Sequence, residues 1–226
     1  LFTWVSVMQL VEQNKLDLDA DVNSYLDFQI RPAFGKPVTL RSLMTHTAGF
    51  EEVSRDTIFT DPKHKLSLRQ FLIDNQPHRL FPPGAVPAYS NYGVGLAGYV
   101  VERVSEQPFE QYVREHVFSP LAMTHSAFEQ PPPTEIVAAQ GYRATDARPV
   151  GFEIFLPPPA GGLSSTAPDM GRFAQALLNG GELDGKRVLK PETVAAMWTP
   201  QFRASEELPA ACMGFFETWR NRLRFV

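Results

Sequence analysis

Tyr89 and Asn91, two positions apart, stand where a stiff turn runs into a glycine-rich helix, and they are the pair in this chain best placed to do chemistry. A phenol can relay a proton, and a carboxamide can both donate and accept a hydrogen bond. The turn before them, Phe81-Pro82-Pro83-Gly84-Ala85-Val86-Pro87-Ala88, holds three prolines that leave the backbone few alternatives. The condition on the phenol is severe. A tyrosine of pKa about 10 is roughly 0.1% ionised at pH 7, so using it as a base costs about 4 kcal/mol unless a cation offsets that. None of Lys15, Lys36, Lys63, Lys65, Lys186 and Lys190 stands in a sequence setting that places it beside Tyr89. Taken alone, Tyr-x-Asn also fits a packed tyrosine next to a helix-capping residue.

Other chemistries find less support. His46, His64, His78, His116 and His125 show no short ligand spacing, and Cys212 is the only cysteine, so no zinc site is expected. His46 reads as a satisfied histidine at a helix end. Asp17, Asp19 and Asp21 alternate but lack the glycine and distal glutamate of a calcium loop. There is no Gly-x-Ser-x-Gly elbow, dinucleotide fingerprint or phosphate-cradling loop. We therefore expect neither metal nor cofactor.

The elements that must position the pair follow from the pattern around it. From Asn91 the residues Val94, Ala97, Val100, Val101 and Val104 recur at helical spacing, while Gly93, Gly95 and Gly98 predict close approach to a neighbour. Upstream, eight of the eleven residues Leu1 to Val11 are apolar, which predicts a helix buried on all sides. Lys15 to Asp19 reads as extended or turn, and Asp21 to Leu26 as a short helix. Thr39 is positioned to cap a helix over Leu40 to His46 that ends around Gly49. Asp56 to Lys65 reads as polar loop, and Ser67 caps a helix that stops before Pro77. Downstream, helices are expected over Pro108 to Val117, from Ser164 to Gly180 with Met170, Phe173, Ala174, Leu177 and Leu178 as its buried stripe, and from Pro191 with Val194, Ala195, Met197 and Trp198. Ser126 to Phe128 reads as extended. The runs Pro131 to Pro133 and Pro157 to Pro159 read as rigid excursions over one domain. Met213 to Trp219 and Leu223 to Val226 form the arms of a hairpin about Arg220-Asn221-Arg222.

Composition bounds the rest. A chain of 226 residues that is 43% hydrophobic and 20% charged can bury a large core. Its net charge of -4, with Lys and Arg scattered, argues against nucleic acid as a partner. No apolar run reaches transmembrane length. The opening helix starts without an initiator Met or a cap, and the last strand has no turn after it. We expect the chain to have been cut from a longer one at both ends.

Four blocks in order resemble the class C beta-lactamase-related serine hydrolases, which include penicillin-binding proteins, D-Ala-D-Ala carboxypeptidases and esterases. They are Leu1 to Leu26, Val38-Thr39-Leu40-Arg41-Ser42-Leu43-Met44-Thr45-His46-Thr47-Ala48-Gly49-Phe50, Phe81 to Gly93, and Pro159 to Met170. The resemblance covers essentially the whole chain. It implies an α+β fold, a helical lobe packed on an antiparallel sheet flanked by helices. This chain is then one truncated domain over 1–226, mostly helix and loop, with part of the sheet at its carboxyl end. Residues of about 20–165 would form the helical lobe and cleft loops, and 1–19 and 166–226 would pack with the sheet.

The resemblance also implies three catalytic elements. Tyr89 and Asn91 match the second, Tyr-x-Asn, which makes Tyr89 catalytic and Asn91 substrate-binding; Gly161 and Gly162 are implied to line the cleft and bind substrate. The first element, Ser-x-x-Lys, would end immediately before Leu1, and the third, Lys-Thr-Gly or His-x-Gly, would follow Val226. Ser6, Ser42, Ser90, Ser164 and Ser165 all lack a lysine three residues on. The implied function of the intact protein is acyl transfer through a serine ester, on a beta-lactam, a D-Ala-D-Ala peptide or a carboxylic ester, with the 226 residues alone inactive. The alternative is a homologue that binds a peptidoglycan-like acyl ligand without hydrolysing it. We expect a monomer; the family's habit implies a periplasmic or extracellular location, with membrane anchoring only through segments outside this chain.

Overall fold

The computed structural model describes residues 1–55, 57–61, 66–145 and 148–226. At its centre lies helix α1 (Phe2–Glu12), buried from Phe2 through Leu10 as the lack of a wet face requires. The polar residues on it are buried because neighbours take their hydrogen bonds. Thr3 Oγ1 donates to the Pro159 carbonyl at 2.7 Å, and Gln9 Nε2 donates to the His116 and Val188 carbonyls at 3.0 and 2.9 Å.

Helix α2 (Leu40–Met44) begins with a reciprocal capping box between Thr39 and Ser42. It ends earlier than the sequence suggests, at His46, whose φ of 54° breaks the helix, instead of at Gly49. Gly49 has another duty: a Cβ there would lie 2.0 Å from the Phe81 carbonyl oxygen. Helix α3 (Leu68–Asp74) is capped by Ser67 as expected. Asp21 to Leu26 yields only a 3-10 turn over Val22–Ser24, closed by the Asp21 side chain on the Asn23 N–H.

Helix α4 (Asn91–Ser105) packs along α1 and carries the three glycines. The expected close approach is to the second proline run: added Cβ atoms at Gly95 and Gly98 would meet Pro157 and Pro159 at 2.4 and 2.3 Å. Those prolines begin a short helix, α6 (Pro158–Gly161), which sequence reading missed. Before it, α5 (Phe109–Val113) runs on as a π-helical turn over Arg114–Phe118. After it come α7 (Ala167–Leu178), capped by Thr166, and α8 (Pro191–Met197). The buried face of α7 is Asp169, Phe173, Ala176 and Leu177; Ala174 and Leu178 are exposed, one step around the helix from the stripe predicted, and Ala195 of α8 is exposed as well.

Among the described residues the strands are short and pair two by two, all antiparallel. β1 (Ile58–Phe59) pairs with β4 (Ile154–Phe155), and β2 (Gly141–Tyr142) with β3 (Pro149–Val150). The loop expected from Asp56 to Lys65 therefore contains a strand; Asp56 and residues 62–65, with Lys63, His64 and Lys65, lie outside the described residues. β5 (Glu182–Leu183) and β6 (Lys186–Arg187) flank Asp184-Gly185, both at positive φ. β7 (Thr218–Arg220) and β8 (Leu223–Phe225) flank Asn221-Arg222, again both at positive φ, the two-residue turn that suits a twisted hairpin. The first arm is shorter than predicted, because Cys212 to Phe215 closes a tight turn about Gly214 instead of extending. The fold is α+β, with helices at the core and short antiparallel strands around them.

Candidate active site

Tyr89 is delivered by a ladder that sequence reading did not foresee. The segment from Leu80 to Ser90 is laced onto His46 to Glu51. Leu80 N–H bonds the Gly49 carbonyl at 2.7 Å, Gly84 N–H bonds that of Thr47 at 2.8 Å, and Ala88 N–H bonds that of His46 at 2.7 Å. The prolines stiffen the turn and these bonds fix where it lies.

His46 holds the last step. Its carbonyl takes the N–H of Ala88, its Nδ1 takes the N–H of Ser90 at 3.2 Å, and its ring stacks on that of Tyr89, 4.4 Å between centroids. It thus grips the residues on both sides of Tyr89 as well as the tyrosine's own ring. Burial pushes its pKa down to about 4. At neutral pH the ring is uncharged, and accepting at Nδ1 puts its proton on Nε2. A neutral ring cannot be the cation that a tyrosinate needs, and with Nδ1 occupied it is not a free base. It is a satisfied histidine, as expected, and it also positions the tyrosine.

Tyr89 itself is 55% exposed, and its hydroxyl makes no hydrogen bond among the described residues. Ser90 next to it is buried and caps α4 on the Gly93 N–H. Asn91 opens the helix, and Glu52, which sequence reading passed over, receives both its backbone N–H at 2.9 Å and its Nδ2 at 2.8 Å. A carboxylate at this end of a helix is favoured by the helix dipole. The two bonds decide the orientation of the carboxamide, leaving Oδ1 as an open acceptor and one N–H of Nδ2 as an open donor.

The amino end of α1 comes to the same place. Trp4 packs on Gly214 where a Cβ would lie 2.0 Å from its ring, and Gly214 N–H bonds the Met44 carbonyl at 3.2 Å. The turn about Gly214 carries Phe216, stacked over the other reach of His46 at 6.2 Å. Tyr89, Asn91, the first turn of α1 and the 212–216 turn therefore share one corner of the molecule.

Gly161 and Gly162 lie at the end of α6, tied to that first turn through the Thr3 to Pro159 hydrogen bond. Packing accounts for both glycines: a Cβ on Gly161 would meet the Phe155 ring at 2.7 Å, and one on Gly162 the Gln130 side chain at 2.6 Å. No hydrogen bond joins them to Tyr89 or Asn91 among the described residues. Among those residues too, no group of three metal-binding side chains is found, and no helix is long and apolar enough to cross a membrane.

Comparison with known proteins places this geometry in context. The profile of the family described as Beta-lactamase matches residues 1–215. A beta-lactamase of Yersinia enterocolitica is 30% identical over 206 residues, 91% of this chain and 51% of that protein. The chain spans about half the length of the curated relatives it matches. Among solved structures, the octameric penicillin-binding protein homologue from Pyrococcus abyssi superposes with a TM-score of 0.78 at 24% identity, over 96% of this chain and 51% of that one. The penicillin binding protein from Bacillus halodurans gives 0.77 at 24% identity, over 99% and 68%.

Proposed function

The chain belongs to the beta-lactamase family, and from that premise we propose that it forms one wall of a serine acyl-transfer site in a longer protein. The serine and lysine of a Ser-x-x-Lys element come from a segment leading into Leu1, and the distal triplet from one following Val226. The observation that carries the reading is Tyr89, its phenol open to solvent and its ring fixed by a neutral histidine at the amino end of α1.

The serine oxygen adds to the substrate carbonyl carbon, and its proton passes through Tyr89 to the leaving nitrogen or oxygen as that bond breaks. An acyl-serine ester remains. Water then adds to the ester, its proton returns by the same path to the serine, and the acid is released. The lysine supplies the cation that makes a phenolate accessible. Asn91 Oδ1 accepts from that lysine, and its remaining N–H meets the substrate carbonyl. Gly161 and Gly162 line the cleft. The substrate is an amide or ester: a beta-lactam, a D-Ala-D-Ala peptide or a carboxylic ester.

The test uses the full-length protein with a chromogenic cephalosporin, a short-chain nitrophenyl ester and a D-alanyl peptide. We expect turnover of at least one, a covalent adduct with labelled penicillin by mass spectrometry, and a loss of about 10²–10⁴ in kcat on Tyr89→Phe. Binding without adduct or turnover would assign the protein to the non-hydrolysing reading. For the 226 residues alone we expect none of these, and a rate abolished by Tyr89→Phe would overturn the placement of the nucleophile outside them.

A further inference from the structure

We propose that His46 is a substrate-binding residue, its Nε2–H donating to a carboxylate that the substrate carries beside its reacting bond. The proposal rests on the acyl-transfer reading and adds to it a preference for substrates that are acids over plain esters.

The buried polar side-chain atoms that lack a partner among the described residues are Gln9 Oε1, Arg79 Nε and Nη2, Gln107 Oε1 and Tyr112 OH. These are sealed from solvent and can take no ligand. His46 Nε2 is not one of them, and it makes no hydrogen bond to a described residue. Because Nδ1 receives the Ser90 N–H at 3.2 Å, the proton of the neutral ring sits on Nε2. A residue only 8% exposed thus keeps one donor open to solvent.

At φ 54° His46 occupies a backbone conformation that glycine or asparagine takes with less strain, so what a histidine adds there is its ring. One nitrogen of that ring serves the fold, and the other is spare. The ring lies between Tyr89 at 4.4 Å and Phe216 at 6.2 Å, the latter tilted from it by only 5°. Both flanking rings are more than half exposed, at 55% and 58%. A ligand that reaches the phenol meets the imidazole next.

In the acyl-transfer reading the free N–H of Asn91 Nδ2 takes the substrate carbonyl, which leaves the imidazole N–H for a second group. A D-Ala-D-Ala peptide or a cephalosporin carries a carboxylate there; a simple ester does not. Burial holds the ring at a pKa of about 4, so it remains a neutral donor at pH 7. Hydrogen bonds to a charged acceptor are the stronger kind.

The test compares the full-length protein on a D-alanyl peptide, which has the carboxylate, and a short-chain nitrophenyl ester, which lacks it. His46→Asn suits the backbone and offers Oδ1 to the Ser90 N–H in place of Nδ1, but puts nothing where Nε2 was. We expect KM for the peptide to rise about tenfold with kcat changed by no more than about twofold, and both constants for the ester to hold within about twofold. An unmoved KM for the peptide would show that no contact is made. Equal losses on both substrates would show a ring that only positions Tyr89, and either result overturns the proposal. Should the variant not fold, the peptide titrated into the Tyr89→Phe protein should move the His46 Nε2–Hε2 resonance saturably, and a stationary resonance overturns the proposal. Turnover of neither substrate, with no penicillin adduct, would sink the acyl-transfer reading instead, and the same titration would still decide whether His46 binds the peptide.

Discussion

Glu217 and Tyr89 flank one run of stacked rings, since Phe216, beside Glu217, faces the His46 that Tyr89 stacks upon, yet the chain treats the two residues in opposite ways. Glu217 is 3% exposed and fully spent: Arg224 and Arg203 each bond one of its oxygens at 2.7 Å, and the Ala210 N–H reaches it at 3.1 Å. Tyr89 is held just as firmly, but by its ring and its backbone neighbours. Its hydroxyl is left unspent. A polar group that serves the fold is closed off by partners, whereas one that serves chemistry must be fixed without using the atom that reacts. A neutral, stacked histidine does this. It orients the ring while offering the phenol neither proton nor charge.

The sharpest way to break this contrast is Tyr89→Phe. In the full-length protein it should cost about 10²–10⁴ in kcat, roughly 3–5 kcal/mol in the barrier, and leave the unfolding midpoint unmoved, because the ring and both His46 bonds survive. A variant with native kcat and a lowered midpoint would put Tyr89 in the same class as Glu217.

Acid separates the two sides of the stack next. His46 titrates near 4 when folded against about 6.5 when unfolded, so between those values the unfolded chain binds the extra proton. Stability is therefore fully present above pH 6.5 and lost as pH falls toward 4, by roughly 3 kcal/mol at most. The physical event is a clash of donors, Nδ1–H against the Ser90 N–H. Glu217 behaves otherwise: Arg224 above all holds its carboxyl down to about 2, so its contribution is present above about pH 4.5 and lost only as pH falls toward 2. Urea midpoints at pH 7, 5 and 4 should fall first through the histidine's window, and His46→Gln should flatten that fall. A slope that survives the substitution would show that the stack is not held by a neutral ring.

How much of this corner could be read beforehand follows from which forces are local. The caps at Thr39 and Ser67, the glycine face of α4 and the all-apolar α1 depend on residues within a turn or two, and they appeared where expected. Tyr89 and Asn91 were candidates by resemblance, and their roles rest on the proposed function. What was hidden depends on distant partners: the lacing of 80–90 onto 46–51, the Glu52 carboxylate 39 residues from Asn91, and a strand at Ile58–Phe59 whose mate is Ile154–Phe155. Asp184-Gly185 between two short strands was a readable hairpin signal that went unused. The α7 stripe slipped because apolarity alone does not tell Ala174 from Ala176.

Glu52 gives the smallest effect and the finest division between the two kinds of polar group, because one of its bonds holds the helix end and the other orients the Asn91 carboxamide that we propose meets substrate. Its backbone bond caps an exposed helix end, worth about 0.3–1 kcal/mol. Its side-chain bond sets which way the carboxamide faces. Glu52→Ala should therefore lower stability by about 0.5 kcal/mol and, by letting the Asn91 amide turn, reduce kcat about fivefold to tenfold, roughly 1 kcal/mol. Glu52→Gln keeps an oxygen for Nδ2 while losing the charge, so it should restore kcat and not the stability, since the dipole term needs the carboxylate. Recovery of both together would mean that Glu52 acts only as a cap. Recovery of neither would mean that its charge, and not its grip on Asn91, is what the site uses.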